Sequence, residues 1–443
     1  MAELVDLKDS CRKAGKAFLV GLRREGESAE YAAGLLAELA ELVGNIGFEV
    51  AGSELVGLRE PNPRYLVGAG KFAEIKSAAK RLGCECIVFD DAISPAQQRN
   101  WERDSRRCVI DRQEVILEIF ARRAVTREAR LQVELARLEY SLPRLRRAWT
   151  HLSRQRGGGV TQRGAGESQL ETDRRRVMAR ISRLKREISE VGRVRATQRK
   201  RRERSEVFTA AIVGYTNAGK SSLLNAVAGA DVAAEDRLFA TLDPTTRELR
   251  LPGGAQVLIT DTVGFVRRLP HSFVEAFKST LEEAAFADML IHVVDASNPD
   301  ALLHMETTKS VLAELGAGDK PSIVLLNKSD AVTDEIAFRH LVSCCPNSIV
   351  SSVRTGEGMA ELAARMESAA AEKSKVMEIF VPHEQFGLVS RLQEAGAVRR
   401  RVYAERGVFL AACVPERLSG MVEALSRAMS EEERREVWAS AAV

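Results

Sequence analysis

Eight residues, Gly214-Tyr215-Thr216-Asn217-Ala218-Gly219-Lys220-Ser221, have the types and spacing to hold a polyphosphate. They read G-x-x-x-x-G-K-S, and Ser222 continues the run. Glycines let successive backbone N–H groups curl around phosphate oxygens, and a helix opening at the end of the loop adds its positive dipole. In that arrangement Lys220 reaches the β- and γ-phosphates, and the Ser221 hydroxyl is a ligand for Mg²⁺.

Two further groups follow in the chain. Asp261-Thr262-Val263-Gly264 reads D-x-x-G. Asp261 suits the Mg²⁺ ion, held through water, and the Gly264 N–H suits the γ-phosphate. Asn327-Lys328-Ser329-Asp330 reads N-K-x-D. A carboxylate at Asp330 accepts from guanine N1–H and its 2-amino group, whereas adenine would leave it unpaired. Ser351-Ser352 is a fourth and weaker element near the base. GTP as substrate and GDP as product are therefore expected.

The elements that must carry these groups are legible too. Ala210-Ala211-Ile212-Val213 precedes the glycine loop, and Leu223-Leu224-Asn225-Ala226-Val227 follows it as a helix. Val257–Thr260 and Ser322–Leu326 are apolar strands ending at the second and third motifs. Strands alternating with helices from about Val207 to Ala371 predict a doubly wound, mostly parallel sheet, with the nucleotide at the strands' carboxyl ends. A magnesium-binding threonine is needed between Ser221 and Asp261. Phe239-Ala240-Thr241-Leu242-Asp243-Pro244-Thr245-Thr246 offers three, of which Thr241 is chosen, with Thr245 and Thr246 read as turn or strand residues. Phe239, Ala240 and Thr241 join the nucleotide-binding set, Lys220, Thr241 and Gly264 the catalytic one, and Ser221 and Thr241 the metal ligands. Phe265 stands where many GTPases carry a glutamine that orients the attacking water. Phenylalanine cannot bond a water, so hydrolysis by the chain alone should be slow.

The net charge of +4 over 443 residues hides an asymmetry. Between Ala121 and Glu206 stand 25 Arg and Lys against 10 Asp and Glu, a surplus of 15, so the remainder sums to −11. Nearly all these cations are arginine, which forks onto phosphate and stacks on bases; contact with RNA is expected. Leu131, Leu135, Leu138, Leu142 and Leu145 step by 4, 3, 4, 3, and Val177, Ile181, Leu184, Ile188 and Val191 step likewise. Two such seams satisfy each other as an antiparallel helical hairpin. Pro143 should kink or end the first helix. Between the helices, Arg154–Glu167 carries five glycines within ten positions and three arginines. It reads as a non-helical, basic loop that can probe a folded RNA cavity, the alternative being a flexible link between the helices.

Residues 1–110 read as a small α/β domain, 111–206 as the basic hairpin with its glycine-rich loop at 157–166, 207–373 as the nucleotide domain, and 374–443 as a small α+β domain. Gly68-Ala69-Gly70-Lys71 resembles a phosphate loop only loosely and reads as a plain turn. The seven cysteines form no disulfide framework or zinc spacing. No signal peptide follows Met1, and no apolar run nears the ~18 residues of a membrane span. A reduced, cytoplasmic, monomeric protein without membrane insertion is expected.

Several motifs outside the nucleotide domain carry a closer likeness: Pro95-Ala96-Gln97-Gln98-Arg99-Asn100, Asp111-Arg112, Leu131-Gln132-Val133-Glu134-Leu135-Ala136, Arg163-Gly164-Ala165-Gly166-Glu167, Asp173-Arg174-Arg175 and Phe239–Thr245. Through them nearly the whole chain resembles the bacterial HflX GTPases. The resemblance implies a GTPase that binds the large (50S) ribosomal subunit and its rRNA and dissociates idle or stalled 70S ribosomes. It implies an N-terminal domain that handles nucleotide separately, with the glycine loop directed to the peptidyl-transferase region. It also assigns Thr241 to the magnesium position, and makes an apolar residue after D-x-x-G a family habit. Ser352 departs from it, standing where an alanine is usual. The other reading is a GTP-regulated RNA-binding or RNA-remodelling protein without splitting activity.

Overall fold

The computed structural model describes residues 15–148, 162–205, 207–228, 239, 242, 244–252, 255–268, 283–372, 374–394 and 397–440. They fall into two compact units. The first holds residues 1–191 with 236–243 and 267–278; the second holds 192–235, 244–266 and 279–443. Of the expected nucleotide domain, Phe239, Leu242, Arg267 and Arg268 thus fall in the N-terminal unit.

In the first unit, β1 (Lys16–Arg24), α1 (Ala29–Asn45), β2 (Glu49–Leu58), α2 (Ala69–Arg81), β3 (Cys86–Phe89), α3 (Pro95–Ser105), β4 (Cys108–Asp111) and α4 (Arg112–Arg123) alternate. The strands pair in parallel in the order β2-β1-β3-β4. Local chemistry sets the helix starts. The Ser28 hydroxyl accepts from Tyr31 N at α1, and at α3 Ser94 and Gln97 close a capping box with Pro95 in the first turn. Trp101 of α3 is buried among Tyr65, Phe72 and Phe89, and its Nε1 donates to Tyr65 O. Gly68–Lys71 is not a plain turn. Gly68 caps α2, and Lys71 lies in its first turn, paired with Glu54 and Glu74.

Two long helices follow, α5 (Arg127–Ala148) and α6 (Gln162–Ser205). Leu131, Leu135 and Leu184 are buried together, with Leu138, Ile181 and Ile188 packed on them, which is the expected seam. Arg180 forks onto Glu134, and Arg127 acts on Glu187, so the helices run in opposite directions. The kink or end expected at Pro143 is not an end, because α5 runs on to Ala148; a second expectation fails outright. Gln162–Glu167 is helical, because α6 extends its hydrogen-bond ladder through Gly164 and Gly166. Residues 149–161, with most of the glycine-rich stretch, lie outside the described residues.

In the second unit a six-stranded sheet is built from β5 (Phe208–Gly214), β6 (Thr245–Arg250), β7 (Gln256–Asp261), β8 (Met289–Asp295), β9 (Ser322–Asn327) and β10 (Ile349–Val350). Its order is β10-β9-β8-β5-β7-β6, parallel except for the polar edge strand β6. The central strands read as unbroken apolar runs because both faces are covered, by α7 (Lys220–Ala228), α8 (Ala301–Glu314), α9 (Glu335–Cys344) and α10 (Met359–Glu372). The order reverses beside β5, so the crevice at the strands' carboxyl ends opens where the glycine loop leaves the sheet.

The chain continues as β11 (Ser374–Pro382), α11 (Phe386–Glu394), β12 (Val398–Ala404), β13 (Gly407–Pro415), α12 (Glu416–Leu425), β14 (Arg427–Ala428) and α13 (Glu431–Ser440). These form an antiparallel sheet of order β12-β13-β11-β14, with α11 and α12 on one face. The last two helices, α12 and α13, are separated by the short strand β14. Among the described residues no helix is long and apolar enough to cross a membrane.

Candidate functional site: a nucleotide cradle at the β5–α7 turn

The turn from β5 into α7 is drawn tight against its neighbours. Gly214 (φ +149) lies where a Cβ would strike Val293 O, and Gly219 (φ +96) where one would strike the Asn327 side chain. Any other residue at either place would push the loop off the sheet. Asn217 takes a left-handed φ of 61, which asparagine tolerates.

Lys220 is buried, and its Nζ donates to Tyr215 O at 2.6 Å. Burial lowers its pKa to about 8, against the pull of Asp261. A buried ammonium bonded only to a carbonyl is poised for an anion. The buried Thr216 hydroxyl has no hydrogen-bond partner among the described residues. Ser221 Oγ donates to Asp261 Oδ2 at 2.8 Å, so the end of the glycine loop and the D-x-x-G aspartate meet.

The D-x-x-G segment is stitched along the loop. Phe265 N donates to Gly214 O at 3.1 Å, and Thr216 N donates to Phe265 O at 2.8 Å. A Cβ on Gly264 would lie 2.7 Å from Lys220 Nζ and 2.9 Å from Thr216 Cα. The Gly264 backbone therefore faces the lysine with no side chain between them. The hydroxyl of Thr262 donates to Ile212 O at 2.7 Å, and Val263 is buried, so both fix the strand end by packing. The Phe265 ring is 1% exposed. It is turned into the interior, which is why this position tolerates an apolar residue.

The base-reading group sits at the end of β9. Asn327 Nδ2 donates to Ala218 O at 2.9 Å, and Val353 N donates to Asn327 Oδ1 at 3.1 Å, so Asn327 ties the glycine loop to the β10 exit. Lys328 (φ 63) pairs with Asp295 at 2.7 Å. Ser352 Oγ donates to Asp330 Oδ1 at 2.5 Å, and Arg354 pairs with the same carboxylate. The Ser352 hydroxyl first, and then Arg354, hold the Asp330 pKa below the usual carboxylate range. Ser351 turns away instead, its Oγ donating to Leu326 O. Ser352 is thus the hydroxyl that orients Asp330, and Val353 falls at the alanine position. Sequence reading put that register one residue early, and it missed Val353, Arg354 and Asp295. The repeated serine hid the register; only the partner of each hydroxyl separates the two.

Of the remaining expected residues, Ser222 lies in the first turn of α7. Phe239 is not brought to this cradle. Its buried ring meets Phe120 edge to face, 4.8 Å between centroids, in the first unit. That side chain is committed to packing, so only its main chain remains for a nucleotide. Ala240 and Thr241 lie outside the described residues, and Thr245 and Thr246 are the first residues of β6.

A strand, glycine loop and helix with an aspartate, a buried lysine and an N-K-x-D carboxylate at neighbouring strand ends define a P-loop GTPase, which binds GTP and GDP and hydrolyses GTP. Comparison with known proteins narrows the class. Residues 34–121 match the family model described as GTP-binding GTPase N-terminal, 123–202 the GTP-binding GTPase Middle Region, and 209–328 the 50S ribosome-binding GTPase. The chain is 48% identical over 423 residues to GTPase HflX of Akkermansia muciniphila, covering 93% of this chain and 97% of that protein. It is 44% identical to GTPase HflX of Lacrimispora saccharolytica, covering 94% and 97%, and 40% identical to that of Escherichia coli K12, covering 84% and 87%. The chain belongs to the HflX family of GTPases. A solved GTP-binding protein of Sulfolobus solfataricus in complex with GDP is 24% identical, covering 81% of this chain and 99% of that one, with a TM-score of 0.44.

Proposed function

We propose that the chain is a cytoplasmic, monomeric factor that binds the large (50S) ribosomal subunit through its rRNA in the GTP state and dissociates idle or stalled 70S ribosomes. The observation that carries this reading is the surplus of 15 positive charges between Ala121 and Glu206, the region that holds the helical pair, in a chain that also holds a GTP cradle. The matched family description, 50S ribosome-binding GTPase, agrees with it. In this reading Lys220 draws the β- and γ-phosphates, the Gly264 N–H contacts the γ-phosphate, and Asp330, steadied by Ser352, selects guanine. The main chains of the glycine loop from Gly214 to Ser221 wrap the phosphates, and Asn327, bonded to Ala218 O and Val353 N, holds the loop to the base-reading end of the site.

Mg²⁺ fits the hard oxygen donors Ser221 Oγ and Asp261 Oδ2, which lie 2.8 Å apart. Ser221 and Thr241 are its proposed direct ligands; when bound, the ion neutralises charge developing on the phosphate oxygens. Hydrolysis by the chain alone is proposed to be slow, with Thr241 and the rest of the site completed on the subunit. The glycine-rich stretch 157–166 is proposed as the part that enters an RNA cavity.

The test is sedimentation of intact 70S ribosomes with the protein and a non-hydrolysable GTP analogue. Release of free subunits is expected. Co-sedimentation without release would favour a GTP-regulated RNA-binding or RNA-remodelling protein instead.

A further inference from the structure

The C-terminal sheet has an open face that the nucleotide site does not use. The element order β11-α11-β12-β13-α12-β14, with strand order β12-β13-β11-β14, is the βαββαβ arrangement. Both crossover helices cover one face. Leu388, Val389 and Leu392 of α11 and Leu418 and Val422 of α12 pack on Ile379, Val381, Val408, Leu410, Ala412 and Val414. Strand alternation turns Phe380 of β11 and Phe409 of β13 to the other face. They are directly opposed in the ladder, half-buried, with ring centroids 4.9 Å apart.

The surroundings of this ring pair are cationic. Arg427, opposite Phe380 on β14, holds its guanidinium 4.8 Å from the Phe380 centroid. Arg400 of β12 is exposed and opposes Ala411, two residues from Phe409 on the same face. Glu378, on the same face, is paired with Arg434 at 2.9 Å. Glu433 holds Arg427 in turn, so the first turns of α13 anchor both groups at the rim.

We infer that this face is a docking surface for single-stranded RNA, with bases stacking on Phe380 and Phe409 and the phosphates running past Arg400 and Arg427. Two aromatic rings on the central strands of an open four-stranded sheet are what this topology uses to stack unpaired bases. The ring pair carries the inference rather than a sequence match, since Arg406-Gly407-Val408-Phe409 reproduces only the start of the usual aromatic run on the third strand. A protein partner would be served by apolar area alone. Exposed Arg400, with the carboxylates of Glu378 and Glu433 already paired to Arg434 and Arg427, complements a polyanion. The surface is separate from the basic helical pair and stands whether or not that pair docks on 50S.

The test uses the full-length chain and a fluorescein-labelled oligouridine of about twelve nucleotides. Raised salt suppresses phosphate-driven binding by the basic helices far more than stacking. Anisotropy at about 0.5 M salt should show residual binding that the Phe380→Leu, Phe409→Leu double variant weakens roughly ten- to a hundredfold. GTP affinity and circular dichroism, unchanged in that variant, show that it folds. Short-wavelength crosslinking of the parent protein, which needs no variant, should place uridine adducts on the peptides bearing Phe380 or Phe409. Equal high-salt binding by parent and variant would overturn the inference. So would adducts confined to residues outside this face, the pattern expected if a protein is its true occupant.

Discussion

Arg267 Nε lies 2.8 Å from Glu38 Oε2, and both side chains are buried. Arg267 comes two residues after Phe265, at the end of the D-x-x-G segment, and Glu38 lies on α1. Glu38 also pairs with Arg112 at 2.8 Å, and Arg112 with Asp90 at 2.6 Å. Arg268 reaches Asp90, Asp91 and Glu27. Burial pushes the Asp90 carboxyl up, and Arg112 pulls it back.

A buried ion-pair network resists the loss of one member more than its wholesale replacement. Glu38→Gln is expected to destabilise the first unit by about 3–5 kcal/mol, because Arg112 and Arg267 lose their shared anion. The triple exchange Glu38→Met, Arg112→Met, Arg267→Met should cost less than the sum of its parts. Thermal denaturation followed by hydrogen exchange in α1 measures both. Additive costs would show the pairs to be independent.

Base selection rests on Asp330 and its orienting hydroxyl. Asp330→Asn should lose GTP affinity roughly a hundredfold and gain affinity for xanthosine triphosphate, whose ring presents an acceptor where guanine has an amino group. Ser352→Ala should weaken GTP several-fold without altering the choice of base, whereas Ser351→Ala should act only on stability. Fluorescent-nucleotide titration distinguishes the three variants, and unchanged GTP affinity in Asp330→Asn would refute the assignment.

Phe265 cannot orient water, and its ring faces inward. Basal turnover should therefore be slow, and large ribosomal subunits should raise it by organising the site. Phe265→Leu should cost about 1 kcal/mol of stability and leave GTP binding intact. Phe265→Gln should not raise the basal rate, because its side chain starts towards the core. Single-turnover hydrolysis with and without subunits decides the matter; equal rates would remove the need for a partner.

Acid should weaken the second unit through His292 of β8. The ring is buried, and its Nε2 has no hydrogen-bond partner among the described residues. Burial, then Lys309 and Lys220, lower its pKa from 6.5 to about 4. The folded chain keeps it neutral while the unfolded chain protonates it below about 6.5. Its contribution is thus fully present above pH 6.5 and lost progressively as pH falls towards 4, on the order of 3 kcal/mol at most. His292→Gln should flatten the fall in melting temperature between pH 6.5 and 5. An unchanged slope would assign the acid sensitivity elsewhere.

Much of this architecture could be read from residue order. The three nucleotide motifs each end an apolar strand, and both apolar seams repeat every seven residues, so local pattern makes them legible. Phe239 misled because an aromatic beside Thr241 fits a nucleotide rim as well as a core; only its ring contact with Phe120 tells which. Pro143 left a kink or an end open, and α5 continues past it, the exposed ring costing one hydrogen bond rather than the helix. Glycines in Gln162–Glu167 were read as breakers, yet a long helix can carry them when its far end is already anchored. The pairing of Phe380 with Phe409 was invisible, since 29 positions separate them and only sheet register brings them together.

The placement of Phe239, Leu242, Arg267 and Arg268 with the N-terminal unit has a thermodynamic corollary. In the chain these residues flank the segment that carries Asp261 and Gly264. If GTP rearranges them, it alters the stability of the N-terminal unit, and by reciprocity any ligand or strain acting on that unit alters GTP affinity by the same factor. The protection of α1 and β3 against deuterium is then a gauge of nucleotide occupancy, readable without touching the phosphate site itself.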